Sequence, residues 1–204
     1  MGRTSDADQR LMDAALSLMW EESYGAVSVD DICRCANVRK GSFYYYFASK
    51  SELAVRALDR MWQEHKKNLD PYFEEEKYPI DRIRNRCEAA YESQVSMKAQ
   101  FGHVMGCPLC SLGSEICNLD NAIRDKVRAV MDQKVHYWEA AIRDGQGLNL
   151  IEPGDPLQKA WCAMAFFEGM IAQARLHDDV ERVRDLADRM CEHLGVKLTS
   201  PVST

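Results

Sequence analysis

The segment RKGSFYYYFASKSEL, residues 39–53, combines cations and aromatic rings in a pattern that suits a polyanionic partner. Three consecutive tyrosines, Tyr44 to Tyr46, stand between Lys40 and Lys50. A helix that only fills a core spaces its aromatic residues three or four positions apart. A continuous run between cations therefore indicates a segment that packs on one side and meets phosphate oxygens on the other, since Lys and Tyr side chains are common phosphate contacts.

A second group of reactive side chains follows the spacing His-x3-Cys-x2-Cys-x6-Cys, at His103, Cys107, Cys110 and Cys117. Four such ligands suit zinc or a similar metal, and Cys107-x-x-Cys110 also suits an oxidisable thiol pair. However, a single CxxC lacks the second pair that makes a zinc prediction strong. The favoured interpretation is that these cysteines are small apolar core residues, so neither a metal nor a cofactor is predicted.

Composition limits the class of protein. The chain has 204 residues, 46% hydrophobic and 28% charged, with a net charge of −6. That length suffices for one or two domains with a buried core, and any nucleic-acid surface has to be local because the whole chain is acidic. No apolar run approaches the roughly 18 residues of a membrane span, and residues 14–20 do not resemble a secretory signal. We expect a cytoplasmic protein with no membrane partner.

The reactive segment is placed by three predicted helices. The first ends before Gly25, the second is capped at Ser28 with Asp31 in its first turn, and the third covers about residues 40–46. Asn37 predicts a tight turn between the last two, since Asn tolerates a left-handed backbone. Two short helices joined in this way form a helix-turn-helix, whose second helix enters the DNA major groove.

This arrangement assigns faces to the aromatic run. Phe43, Tyr44 and Phe47 are predicted to pack inward, and Tyr45 to point toward DNA. We expect Tyr45 and Lys50 at phosphates and other side chains near base edges, while glycine at the helix start permits close approach. The predicted DNA-binding residues are Ser28, Arg39, Lys40, Gly41, Ser42, Tyr45 and Lys50.

The remaining chain predicts further helices and nothing that reads as a sheet. A capping box at residues 49–52 starts a long helix that stops before Asp70-Pro71. Residues 102–113 are irregular in pattern, Pro156 opens a helix that runs to about residue 176, and the last helix spans about residues 179–194. The expectation is an all-α protein of about nine helices, with a helix-turn-helix domain at residues 1–48 and a larger helical domain at residues 49–204.

Residues 11–53 resemble the DNA-binding domain of the TetR family of transcriptional regulators. The matching positions are Ala15, Tyr24-Gly25, Ser28-Val29, Ile32, Ala36, Val38, Gly41, Phe43-Tyr44, Phe47, Ser49-Lys50 and Glu52-Leu53, and Gly106-Cys107-Pro108-Leu109 looks like a segment seen in part of the family. Asn37 and Arg39 stand where family members usually have Gly and often have Ser. The resemblance implies that the larger domain senses a small ligand and dimerises through its last two long helices.

The sequence supports a homodimer independently. Residues 160–167 are apolar on more faces than one monomer core requires. Small residues at Ala163, Gly169 and Ala174 permit close helix approach, and Leu186 and Met190 add an apolar stripe on the last helix. A two-fold dimer also suits a palindromic operator, whose half-sites lie about 34 Å apart.

An effector pocket is the least specified part. Aromatic and methionine side chains in the larger domain can line a mostly apolar small-molecule site, although such residues more often form a core. The candidate ligand-binding residues are Tyr91, Phe101, Met105, Trp138, Trp161, Phe166 and Met170.

The predicted function is that of a ligand-responsive repressor, a homodimer that binds a palindromic double-stranded DNA operator and is released by a small molecule of unknown identity. The alternative is a thiol- or metal-responsive regulator that uses Cys107 and Cys110. The histidines are scattered and no nucleophile–base or metal–base motif occurs, so catalysis is not expected.

Overall fold

The computed structural model describes residues 6–197, which form an all-α protein, as predicted. The α-helices of this part of the chain are α1 (Ala7–Glu21), α2 (Val29–Cys35), α3 (Lys40–Tyr46), α4 (Lys50–Leu69), α5 (Pro79–Phe101), α6 (Pro108–Ile116), α7 (Asn121–Gly147), α8 (Pro156–Leu176) and α9 (Leu186–Leu194). Short 3-10 turns occupy Asp70–Tyr72 and Val180–Val183, and one isolated bridge joins Ile151 to Val196.

Contacts between residues divide the chain into two compact units. The first holds the described residues up to 65 together with residues 108–130, and the second holds residues 66–107 and the described residues from 131. The chain passes between the units within α4, between Cys107 and Pro108, and within α7. The predicted domain boundary after residue 48 stays a prediction, because these units group residues by contact and not by where a domain can fold alone.

The first unit is organised by local signals that the sequence carries openly. Ser28 caps α2 by accepting a hydrogen bond from Asp31 N (3.1 Å), while the Asp31 carboxylate accepts from Ser28 N (3.0 Å). Asn37 takes a left-handed backbone, φ 51°, which confirms the predicted turn. Arg10 Nη1 donates to Ala36 O at 2.9 Å and secures this turn against α1.

Three predicted features of the helices were wrong. Tyr44 does not pack inward with Phe43 and Phe47, since its side chain is 56% exposed. Residues 102–113 are not wholly irregular, because Pro108 opens α6 at the first helical position that proline favours. The last helix is also shorter than predicted. It begins at Leu186, after a 3-10 turn that Asp179 caps through Glu181 N (3.1 Å).

The second unit is built on α5, α8 and α9, with the C-terminal part of α7. Its core contains an aromatic group in which the Trp138 ring lies 5.4 Å from Phe167 and 6.0 Å from Phe73, between centroids. Asp155 caps α8 by accepting from Leu157 N at 2.9 Å, as the Asp-Pro start predicts. Within residues 6–197 no helix combines the length and apolarity needed to cross a bilayer.

The loop between α5 and α6 is held by side chains of the second unit. The Gln94 amide accepts from Gly106 N at 3.0 Å and donates to Gly106 O at 3.4 Å. Asp178 Oδ1 accepts from Val104 N at 2.8 Å and pairs with Lys98. These bonds lower the pKa of the Asp178 carboxyl, the Val104 N–H having the largest effect. The loop is therefore fixed just before Cys107.

Gly106 is the residue of this loop that tolerates replacement least. Its φ is 73°, and an added Cβ would lie 2.9 Å from Arg175 Cδ. Gly106→Ala is expected to lower the free energy of unfolding by about 1–3 kcal/mol, through backbone strain and the close contact. Urea unfolding measures this. The control is Gly147→Ala at the end of α7, where nothing lies within 4 Å and stability should not fall. Wild-type stability for Gly106→Ala would contradict the assignment.

Candidate functional site

The exposed face of α3 carries most of the predicted DNA-binding residues. Tyr45 is 81% exposed, Arg39, Lys40 and Gly41 are exposed, and Ser42 is partly exposed. The helix is short, and its opposite side buries Phe43. Together with Phe47, whose ring centroid lies 5.9 Å away, Phe43 forms the anchor that holds this face outward.

Lys40 and Arg39 start α3 in different ways. Arg39 precedes the helix and makes no side-chain cap. Lys40 Nζ pairs with Asp30 at 2.8 Å, and its hydrogen bond to Asp30 raises the pKa of this lysine. An exposed pair of this kind contributes little to stability. A phosphate can therefore replace Asp30 as the partner at small cost.

The side chains of Ser28 and Lys50 already make hydrogen bonds within the protein. Ser28 Oγ donates to Asp31 Oδ2 at 2.5 Å, so its hydroxyl proton is already used. Lys50 Nζ donates to Tyr24 O and Val27 O, both at 2.8 Å, and lies 4.0 Å from the Tyr24 ring centroid. Burial lowers the pKa of Lys50. One of its three N–H donors is left for a phosphate.

Glu115 on α6 is a residue of this unit that sequence reasoning missed. Its carboxylate accepts hydrogen bonds from Tyr24 N (2.9 Å) and Gly25 N (2.7 Å). Lys50 donates to the carbonyl oxygen of Tyr24 in the same segment. This segment leads into α2. No local pattern links Glu115 to a backbone 90 positions away, so only an expected helix at residues 108–116 would have drawn attention to it.

The seven candidate ligand-binding residues all lie in the second unit, but they differ in how deeply they are buried. Met105 and Trp138 are buried, Trp161 is 43% exposed, and the others are partly exposed. The Phe166 ring stacks on His193 with centroids 5.0 Å apart, and Tyr91 OH lies 3.4 Å from Glu181 Oε1. The positions that complete this set are Phe101 and Met170. Trp161 and Phe166 face different ways because five helical residues turn by about 140° beyond one full turn.

Several residues that the sequence offered to a dimer partner instead fill the core of their own chain. Ala163, Ala174, Leu186 and Met190 are buried. Gly169 is exposed, with open space around it. Helical periodicity alone does not tell which of two apolar faces packs inward. For this reason some positions predicted to lie at the dimer interface are buried within their own chain.

A group of charged side chains lies inside the second unit. Lys134 Nζ on α7 donates to Glu168 Oε1 on α8 at 2.5 Å, and both side chains are buried. Burial acts to lower the pKa of Lys134, but electrostatic interaction with Cys107 and Glu168, together with the hydrogen bond to Glu168, outweighs it and the pKa is raised. Arg86 on α5 stacks on the Phe167 ring, with Cζ 4.8 Å from its centroid. Sequence reasoning missed this group, although a glutamate in the apolar run of α8 was a usable signal.

None of the cysteines, all of which lie within residues 6–197, forms a disulfide in this structure. Cys107 and Cys110 are partly exposed and fall in different units. Cys87 is buried, which raises the pKa of its thiol to about 12. Among the described residues, neither His103 nor Cys117 takes part in a group of three metal-ligating side chains, so the four residues of the His-x3-Cys-x2-Cys-x6-Cys spacing, for which no metal was predicted, do not come together.

Two parts of the chain each match a known protein-family model. Residues 11–57 match the family model described as bacterial regulatory proteins, tetR family. Residues 79–190 match the model described as tetracyclin repressor-like, C-terminal domain. The second match alone covers more than half of the chain. The first covers the helix-turn-helix and the start of α4.

Curated relatives and solved structures agree with these matches. The HTH-type transcriptional repressor NemR of Escherichia coli K12 is 24% identical over 177 residues, covering 86% of this chain and 87% of NemR. The transcriptional regulator AcuR of Cereibacter sphaeroides is 30% identical over 176 residues, covering 83% and 77%.

Two solved structures share the fold. Reduced Escherichia coli NemR has a TM-score of 0.81 at 22% identity, over 96% of this chain and 100% of that one. A regulatory protein TetR from Rhodobacter sphaeroides has a TM-score of 0.82 at 27% identity, over 93% and 99%. With the helix-turn-helix geometry of α2 and α3, these matches show that the chain belongs to the TetR family of transcriptional regulators.

Proposed function

We propose that the protein is a ligand-responsive transcriptional repressor that binds a palindromic operator as a homodimer and is released by a small molecule. The observation that carries this proposal is the face of α3. It presents Arg39, Lys40 and Tyr45 to solvent while Phe43 and Phe47 fix its orientation. A surface tyrosine that is 81% exposed contributes little to folding. Its position suits contact with another molecule.

DNA recognition divides between two kinds of contact. Tyr45 OH and the remaining N–H of Lys50 bind phosphates, which position the protein without reading sequence. Arg39, Lys40 and Ser42 lie near base edges at the start of α3, where a recognition helix makes its specific contacts. Gly41 permits close approach, since nothing lies within 4 Å of an added Cβ. Ser28 has no donor left for a phosphate, because its hydroxyl proton goes to Asp31, and it contributes by capping α2.

The DNA prediction concerns Tyr45. An operator selected from a random duplex library is the probe, and fluorescence anisotropy measures affinity. Tyr45→Phe removes one hydrogen bond to a charged group, worth about 1.5–3 kcal/mol, so affinity should fall about tenfold or more on specific and scrambled duplexes alike. Tyr78→Phe, at another exposed tyrosine, should bind like the wild type. Equal affinity of wild type and Tyr45→Phe would contradict the phosphate contact.

The proposed dimer uses α8 and α9. The outward side of α8 exposes Leu157, Trp161 and Leu176, the last of them 75% exposed, with small residues between them. Exposed apolar groups that follow one helix face are typical of interaction surfaces. On α9, His193 lies beside Phe166 of α8, so the two helices share this side of the unit. A two-fold axis there pairs α8 and α9 with their copies in a four-helix bundle.

Trp161 tests the dimer better than the buried positions do, because Phe167 and Met190 are needed for the fold itself. Trp161→Glu would place an unpaired charge in the interface, which costs several kcal/mol. The variant should be monomeric by light scattering and keep the wild-type circular dichroism. Tyr78→Glu makes the same change at an exposed aromatic residue and should stay dimeric. A stable Trp161→Glu dimer would place the interface elsewhere.

A thiol-responsive regulator is the second candidate, and one observation favours it. Cys107 is partly exposed, and its charge interacts with that of the buried ammonium of Lys134. A nearby cation stabilises a thiolate, which is the reactive form of cysteine. The solved structure of Escherichia coli NemR is described as a reduced form, a statement about that protein. In this reading a peroxide converts the Cys107 thiolate to sulfenic acid and is itself reduced to hydroxide.

The thiol candidate predicts that hydrogen peroxide lowers operator affinity by tenfold or more in the wild type and not in Cys107→Ser. Mass spectrometry should show a gain of one oxygen at Cys107. Cys110→Ser serves as the matched control and also reports whether the second thiol takes part, and metal content is measured on both variants. Unchanged operator affinity of the wild type after peroxide would contradict the thiol candidate, and release by a small molecule would remain as the proposed mechanism.

A further inference from the structure

The connection between α1 and α2, residues 22–28, is held at Tyr24 through both its N–H and its C=O. Each oxygen of the Glu115 carboxylate accepts one backbone N–H, Oε2 from Tyr24 N at 2.9 Å and Oε1 from Gly25 N at 2.7 Å. Lys50 Nζ donates to Tyr24 O at 2.8 Å. Glu115 on α6 and Lys50 at the start of α4 are thus joined through one residue of the backbone, and all of these groups belong to the first unit.

Glu115 fits this backbone closely. A Cβ added to Gly25 would lie 3.2 Å from Glu115 Oε1, which is tighter than ordinary van der Waals contact. The next N–H, that of Ala26, is bonded to Ser23 Oγ at 3.1 Å. The N–H groups of residues 24–26 therefore each have a side-chain acceptor, and the first two depend on Glu115. The conformation of this connection relies on a carboxylate that is remote in sequence.

Lys50 Nζ is the group that this backbone holds in place. Besides Tyr24 O it donates to Val27 O at 2.8 Å, and it stands 4.0 Å from the centroid of the Tyr24 ring. Its third N–H is left for a phosphate. A lysine on a free stem loses side-chain entropy when it binds, whereas two carbonyls fix this ammonium before DNA arrives. Such preorganisation increases affinity.

The Glu115 carboxylate also acts on the charge of Lys50. Burial lowers the pKa of this lysine, and electrostatic interaction with Glu115 acts in the opposite direction. The carboxylate therefore favours the charged ammonium, which is the form that binds phosphate. A carboxylate close to a phosphate also repels it, so the net effect of Glu115 on DNA binding is decided between position and repulsion.

We propose that Glu115 is a positioning residue for operator binding, which acts on Lys50 through the backbone of residues 24–25. The inference rests on the proposed function, in which Lys50 contacts a phosphate. It reverses the sign expected from charge alone. Removal of a negative charge from a DNA-binding protein strengthens its attraction to phosphate. Removal of this carboxylate instead releases the backbone that holds Lys50, and binding becomes weaker.

The experiment uses the full chain and an operator selected from a random duplex library, with fluorescence anisotropy at several salt concentrations. Glu115→Gln keeps the size of the side chain but has one acceptor oxygen, so one of the two N–H groups loses its partner. Operator affinity should fall about fivefold or more, since a hydrogen bond to a charged acceptor is lost. Lys50→Met should reduce the steepness of log affinity against log salt by about 1, and Glu115→Gln should change it in the same direction.

Asp125→Asn is the matched control. It makes the same carboxylate-to-amide change in the same unit, on an exposed side chain whose partner is the adjacent Arg124 at 3.0 Å. This variant should bind the operator at least as tightly as the wild type. Circular dichroism and thermal unfolding check that every variant is folded at the temperature of the binding assay.

The double variant separates positioning from a general structural role. Because Glu115 acts through Lys50, Glu115→Gln in the Lys50→Met background should change affinity by less than about twofold. An equal loss in both backgrounds, or tighter binding by Glu115→Gln, would overturn the inference and leave the proposed function intact. Failure of the wild type to bind any selected duplex would contradict the proposed function. Unchanged affinity and salt dependence of Lys50→Met would contradict the phosphate contact, and the inference falls in either case.

Discussion

The exposed face of α3 depends on the burial of two phenylalanines. The helix α3 has seven residues, and isolated helices shorter than about 12–15 residues are marginal in water. Phe43 and Phe47 are almost fully buried, and each buried side chain of this size contributes about 1.5–3 kcal/mol. Their burial, and not helix propensity, fixes the direction in which Tyr45 points. The rest of the face is free to be polar and exposed for that reason.

The backbone N–H and C=O groups of the segment that leads into α2 are hydrogen-bonded by two side chains of opposite charge. Glu115 accepts the N–H groups of Tyr24 and Gly25, and Lys50 donates to the carbonyls of Tyr24 and Val27. A short connection without these partners would leave backbone groups dependent on water alone. Glu115 belongs to α6, which begins at Pro108, directly after Cys107 in the chain. The first unit therefore relies on a helix that follows the loop of the second unit in sequence.

The second unit places different chemistry on different sides of one helix. Inward positions of α8 carry Phe167 and Met164 into the core, and outward positions leave Trp161 and Leu176 at the surface. Glu168 lies among the buried residues and meets Lys134. A buried charge is costly unless it is paired, and Lys134 supplies that pairing inside the unit. The apolar outer side has a different explanation, since it suits contact with another chain.

Features that depend on neighbours a few positions apart could be predicted from short stretches of sequence. The cap at Ser28, the left-handed turn at Asn37, the start of α8 after Asp155 and the all-α class were each legible in short patterns. Such features follow from backbone geometry and local hydrogen bonds, which the sequence states directly. The helix-turn-helix, and with it the exposed position of Tyr45, could be predicted on the same basis.

Contacts between residues that are far apart in sequence could not be predicted and depend on how the helices pack. Lys50 reaches carbonyls 23 and 26 positions away, Glu115 reaches N–H groups 90 and 91 positions away, and Lys134 meets Glu168 across 34 positions. The outward position of Tyr44 has the same origin. A period of 3.6 residues says which side chains share a face, but only the packing of the helices says which face is inside.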